Sequence, residues 1–216
     1  MHSVIKSTFY FVFIIIALFT SITMLTNAKG DRRISIFGLI VLFLGIGEAF
    51  HLVPRIIEIF TGNTENLQPY IDYGRVISSI SIIFVYLFLF WFWKIYYKVS
   101  SPKNVDVALI TLGVIGIVLS VILKSTDYTY MILIRNLPTI VIGTIIVYYF
   151  KRSSLSITKD SFRHLWLAVS LGLVFTTGFE LFSSSYSFLI ILMMPKTLVY
   201  IWLVLMGYLG YKKNIL

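Results

Sequence analysis

Long apolar blocks constrain this chain more than any other feature of its sequence. There are seven of them, at about 7–26, 34–56, 75–97, 105–123, 129–150, 164–183 and 187–211. Each approaches the roughly 20 apolar residues that a helix needs to cross the hydrocarbon core of a bilayer. The blocks use most of the 216 residues. The sequence therefore predicts an all-α fold, a polytopic membrane protein with seven transmembrane helices in a single domain that covers residues 1–216.

Basic residues are distributed unevenly among the connections between these blocks. Blocks one, three, five and seven end on the same side of the membrane, and twelve basic residues lie near these ends. They are Lys29, Arg32, Arg33, Lys94, Lys98, Lys103, Lys151, Arg152, Lys159, Arg163, Lys212 and Lys213. The opposite side keeps Lys6 and Lys124, beside several acids. Cytoplasmic loops carry an excess of lysine and arginine, so the N-terminus is predicted outside and the C-terminus inside, in a multi-pass protein of the cell membrane. The net charge of +9 then needs no nucleic acid as a partner.

The same orientation makes blocks one to three run in the same directions as blocks five to seven. This arrangement is compatible with a 3+1+3 parallel repeat, a plan that some transporters use.

Seven charged or titratable residues lie inside the blocks or at their edges. They are Glu48, His51, Arg55, Arg75, Arg135, Glu180 and Lys196. A charge in the hydrocarbon core costs about 2.5–3.5 kcal/mol on insertion scales, so such groups usually face a bundle interior or a wet cavity. Glu48, His51 and Arg55 follow an i, i+3, i+7 spacing, which places them on one helix face. Gly45 and Gly47 on the same helix would let another helix approach closely. The block directions place all seven residues in the outer half of the bundle.

Two interpretations of these charges remain open. In the first they only hold helices together, with Glu48 bound to Arg135 or Lys196, and Glu180 bound to Arg75. In the second, the surplus of four cations over two acids binds a small anionic or phosphate-bearing ligand, since guanidinium groups suit oxyanions. We expect the second: an outward-facing, positively charged pocket in a carrier or a sensor subunit. The seven residues are then the candidates for ligand binding, with membrane lipid and a small anion as partners.

Two further functional classes stay open. An intramembrane enzyme acting on lipid or polyprenyl phosphate would use His51 or Glu48 as a general base. An accessory or immunity-type component would use the charges structurally and work with a partner membrane protein. We expect a binding protein rather than an enzyme, because the sequence offers no recognisable nucleophile. We also expect no metal, since Glu48 and His51 lack the further ligands of a zinc site and arginines flank them.

Three short segments carry a resemblance to known proteins. They are Phe50-His51-Leu52-Val53-Pro54-Arg55, Arg135-Asn136-Leu137-Pro138, and Pro195-Lys196-Thr197 with Tyr200. They resemble motifs of uncharacterised seven-helix integral membrane proteins of Gram-positive bacteria. The resemblance spans the chain and implies the seven-helix fold, but no activity. Lys196 also lies at the depth of the retinal lysine of microbial rhodopsins. Serines of the third block stand where those proteins place an acidic counter-ion, so no cofactor is expected.

Overall fold

The protein is almost entirely helical in the regions that the computed structural model describes, which are residues 2–62, 64–123, 129–156, 160–182 and 193–213. The helices are α1 (His2–Thr26), α2 (Arg32–Thr61), α3 (Thr64–Tyr96), α4 (Lys103–Ile122), α5 (Thr129–Ser154), α6 (Leu165–Phe182) and α7 (Met193–Lys212). These ranges contain seven helices and no strand, so the predicted all-α fold is confirmed.

Five helices are long and apolar enough to cross a membrane. The candidate spans are Ser7–Thr26, Arg32–Thr61, Asn66–Tyr96, Lys103–Ile122 and Tyr130–Ser154. The apolar part of α6 within the described ranges, Leu165–Gly178, is shorter. This supports a polytopic membrane protein with at least these five spans. The sixth and seventh spans, the orientation and the 3+1+3 repeat remain predictions.

The α2–α3 hairpin is longer than the sequence predicted. α2 continues through Pro54 to Thr61, and α3 already begins at Thr64. Hydropathy measures how much of a helix is apolar, and it misses the polar turns by which a helix extends past the hydrocarbon core. Gly62 ends α2 with a φ of 67°, and its N–H donates to the Glu58 carbonyl at 2.9 Å. Glycine adopts this left-handed conformation without steric cost, so the chain can reverse at once.

The helices form a closed bundle. Each helix packs against its neighbours in sequence, and α1 packs against α7, which completes a ring. The most extensive contact joins α2 to α3; in addition, α2 touches α7 and α3 touches α5. Below, the hairpin end is the end of the bundle at which α2 and α3 are connected. The basic end is the opposite one, where α3 and α5 end and α2, α4 and α6 begin.

Aromatic side chains fill the interior near the basic end. Phe37, Phe92 and Phe162 are fully buried, with ring centroids 5.0, 5.1 and 5.4 Å apart in their three pairs. The Trp93 indole N–H donates to the Ser153 hydroxyl at 2.9 Å and links the ends of α3 and α5. Such edge-to-face and tilted ring contacts are favourable beyond the area that they bury. This end of the core is therefore apolar and closely packed.

Asp31 caps the start of α2 at the basic end. Its carboxylate accepts from the Arg33 backbone N–H at 2.8 Å and from the Arg33 guanidinium at 3.0 Å. The hydrogen bond from the Arg33 side chain holds the pKa of Asp31 below its usual value. A cap of this type satisfies a backbone donor that the helix itself leaves unpaired.

Asp31→Ala should lower the free energy of unfolding by about 1 kcal/mol, the typical value of a lost N-cap. Asp31→Asn should cost less, because asparagine also caps. Since folding depresses this pKa, the carboxylate stabilises the protein above the unfolded-state pKa and loses that effect as the pH falls through the folded-state pKa. Unfolding of both variants in detergent, followed by circular dichroism from roughly pH 7 to pH 3, checks this. A difference between wild type and Asp31→Ala that does not shrink in acid would contradict it.

Candidate functional site

A buried ion pair joins α2 to α7. The Lys196 ammonium donates to Glu48 Oε1 at 2.8 Å, and the Ser78 hydroxyl of α3 donates to the same oxygen at 3.2 Å. Glu48 is 2% exposed and Lys196 is 8% exposed. Lys196 Nζ also lies 5.3 Å from the centroid of the Tyr200 ring, within range of a cation–π interaction. Of the two partners that the sequence left open for Glu48, the structure shows Lys196.

Glycines bring the neighbouring helices close to Glu48. A Cβ atom on Gly47 would lie 2.5 Å from Ser81 Cβ of α3, and one on Gly45 would lie 3.1 Å from Ala17 Cβ of α1. Both glycines therefore mark close helix contacts, as their sequence predicted. The close approach at Gly47 brings α3 against the part of α2 that carries Glu48, where Ser78 of α3 donates to the carboxylate.

His51 and Arg55 continue the Glu48 face towards the hairpin end. His51 is 5% exposed, and its Nδ1 atom has no hydrogen-bond partner in the described part of the chain. The same holds for the buried Nε atom of Arg55. The positive charges of Arg55, Lys196 and Arg75 all act on His51, and Arg55 and Arg75 act on each other. The predicted common face of α2 thus lies within electrostatic range of Arg75 on α3 and Lys196 on α7.

Of the two arginines in this cluster, Arg75 forms a salt bridge with an acidic residue of the described part of the chain and Arg55 does not. Asp72 forms a salt bridge with Arg75 at 3.3 Å, with side chains that are 29% and 42% exposed. Arg55 forms no salt bridge with any residue of the described ranges, although the charges of Glu58 and Asp72 act on it. In the structural interpretation of these charges, Glu180 was the suggested partner of Arg75. The Glu180 side chain lies outside the described residues, and the partner that the structure gives Arg75 is one turn away on the same helix.

Arg135 is buried on a different helix. It is 8% exposed and lies on α5. Among the described residues, α5 packs against α3, α4 and α6 rather than against α2 or α7. The common site of Arg135 with Lys196 therefore remains a prediction.

The structure adds a tyrosine that the sequence analysis did not single out. Tyr10 of α1 is 4% exposed, and the charges of Arg55, Lys196 and Glu48 act on it. Its signal in the sequence is weak but present. Tyr10 shares a helical stripe with the small residues Ala17 and Ser21, and both of these are fully buried.

One cavity lined by described residues lies away from this cluster. A groove with a volume of about 470 Å³ opens between α5 and α6, along residues 140–147 and 170–178. None of the seven predicted ligand-binding residues lines it. An open outward-facing pocket around the charged cluster remains a prediction.

Within the described ranges, no three His, Asp or Glu side chains converge in a way that could hold a metal ion. No protein-family model, no curated protein and no solved structure matches the chain. The resemblance to the seven-helix bacterial proteins thus stays a prediction. A proposal about function therefore rests on the geometry of the helices and of the cationic cluster.

Proposed function

We propose that the protein binds a small anionic or phosphate-bearing ligand near the hairpin end, as a carrier or as a ligand-sensing subunit of the membrane. The supporting observation is the Arg55 guanidinium. It has no salt bridge among the described residues, and it lies in the field of a second guanidinium, Arg75, and beside the buried His51. An oxyanion bound between these groups would relieve their mutual repulsion and satisfy their N–H donors.

The contacts divide the candidate residues by role. Glu48 and Lys196 neutralise one another in the interior, so we assign them to the floor of the site. Arg55, Arg75 and His51 lie nearer the hairpin end and would supply the contacts to the anion. This revises the sequence-based expectation that Lys196 itself holds the ligand. A buried lysine already bound to a carboxylate would have to give up that partner first, which is costly in a low-dielectric interior.

A second candidate function rests on the same ion pair. Glu48 binds Ser78 and Lys196 within the core, which is what a purely structural network in an accessory membrane component would need. The two candidates differ in what they require of Arg55. A structural network leaves it without a function, whereas a binding site depends on it.

Arg55→Gln should strongly reduce anion-induced stabilisation. A ligand that binds only the native state raises the unfolding temperature. We therefore expect inorganic phosphate, glycerol phosphate or acetate, at constant ionic strength, to stabilise the wild type in detergent. Loss of a charge-assisted contact should weaken the apparent affinity about tenfold or more. Thermal unfolding followed by circular dichroism measures the shift.

Arg32→Gln is the matched control, because Arg32 is exposed at the other end of the same helix. It should retain the full shift. An equal loss in both variants would reveal non-specific screening. Wild-type protein that none of the three anions stabilises, together with wild-type stability of Arg55→Gln, would favour the accessory role instead.

A further inference from the structure

The groove between α5 and α6 has an apolar wall on the outside of the bundle. Its lining includes Ile140, Thr144 and Val147 of α5, and Leu173 and Val174 of α6. The Thr144 hydroxyl donates to the Ile140 carbonyl of its own helix at 2.8 Å. The Thr144 hydroxyl is therefore already satisfied within its own helix. On the other side of the groove, the Val174 side chain is 65% exposed. In a bilayer such a wall faces hydrocarbon chains.

The groove leads to a group of cations at the basic end. Lys151 continues the α5 stripe that Thr144 and Val147 begin, one turn further on. Trp166 lies one turn before Ser170, which lines the groove on α6. The Lys151 ammonium stands 5.1 Å from the centroid of the Trp166 ring. This cation–π pair therefore marks the place where the apolar wall ends and the charged surface begins.

Two arginines lie close to this pair in the sequence, one directly after Lys151 and one three residues before Trp166. Arg152 and Arg163 are exposed, and the Arg152 guanidinium lies 3.3 Å from the Tyr148 hydroxyl. Lysine and arginine at such a level extend their charged ends into the headgroup region, and indole and phenol rings favour it too. No described acid forms a salt bridge with Lys151, Arg152 or Arg163, so their charges are available to an anion.

We propose that this groove binds an anionic phospholipid, with one acyl chain along α5 and α6 and the phosphate held by Lys151, Arg152 and Arg163. Charge complementarity favours this occupant over a membrane helix, which would fill the apolar wall but leave three cations without a counter-charge. Basic pockets between membrane helices are recognised sites for anionic headgroups. The site lies at the basic end and does not depend on the anion site near the hairpin end.

Native mass spectrometry of the full chain in detergent tests the proposal, with phosphatidylglycerol and phosphatidylcholine of identical acyl chains as probes. Wild type should retain one phosphatidylglycerol in preference to phosphatidylcholine. Lys151→Gln should weaken this binding about fivefold, the effect of one basic residue near an anionic lipid, and Lys151→Arg should restore it. Lys103→Gln should leave it unchanged, because Lys103 is an exposed basic-end residue at the start of α4, away from the groove.

A second variant tests the apolar wall. Thr144→Phe fills the groove from an exposed position without a change of charge, and it should also remove the retained lipid. Equal weakening by Lys151→Gln and Lys103→Gln would overturn the proposal in favour of diffuse electrostatic attraction. Unchanged lipid binding in Thr144→Phe would overturn it as well. A change of oligomeric state in Thr144→Phe at constant lipid occupancy would assign the groove to a second copy of the chain.

Discussion

Lys196→Met is expected to lower the free energy of unfolding by about 3–5 kcal/mol, the usual cost of removing one partner from a buried ion pair. The substitution leaves the Glu48 carboxylate, 2% exposed, with a single hydrogen bond from Ser78. Either the charge stays buried without a counter-ion or the carboxyl binds a proton, and both cost free energy. Reversible unfolding in mixed detergent micelles, followed by helical circular dichroism, measures the change.

The double variant Glu48→Leu with Lys196→Met makes this prediction specific. Replacing both members of a buried ion pair by apolar residues is often neutral or stabilising, so most of the loss should be recovered. Lys212→Met, at the exposed end of the same helix, should behave like wild type. Strictly additive losses from Glu48→Leu and Lys196→Met would show that the two side chains do not interact.

Gly74→Ala is expected to cost about 3 kcal/mol, the upper part of the range for overpacking. A Cβ atom at this position would overlap the Phe50 carbonyl oxygen and lie 3.0 Å from the His51 Cα atom. These neighbours belong to the backbone of α2, so no side chain can rotate away, and the two helices must separate. Thermal unfolding in detergent measures the effect.

Gly172→Ala supplies the comparison, because its Cβ atom would meet only side-chain atoms at ordinary distances, the Tyr200 ring at 3.4 Å and Val199 Cγ1 at 4.0 Å. It should leave stability close to that of the wild type. Gly74→Ala should in addition weaken phosphate-induced stabilisation, since Gly74 touches the backbone of His51 and precedes Arg75. A Gly74→Ala protein as stable as Gly172→Ala would mean that α2 and α3 do not approach as closely as described.

In the candidate site, the sequence predicted which side chains share a helix face but not which residues they contact on other helices. The i, i+3, i+7 spacing of Glu48, His51 and Arg55 predicted their common face, because helical periodicity is a property of one segment. The partners of these side chains depend on other helices, and the sequence left them open. Glu48 had two candidate cations, and only the contact of α2 with α7 decides for Lys196. For Arg75 the structural interpretation suggested Glu180, and the structure shows a salt bridge to Asp72, one turn away on α3.

The fold divides in the same way. Apolar length by itself determined an all-α chain built for a membrane, because an unsatisfied backbone cannot cross hydrocarbon and a helix satisfies its own backbone. The close meeting of α2 and α3 at Gly74 and the groove between α5 and α6 appear only in the tertiary structure. Both depend on how the surfaces of two helices fit together, and a helix carries the same periodic pattern whichever neighbour it finally packs against.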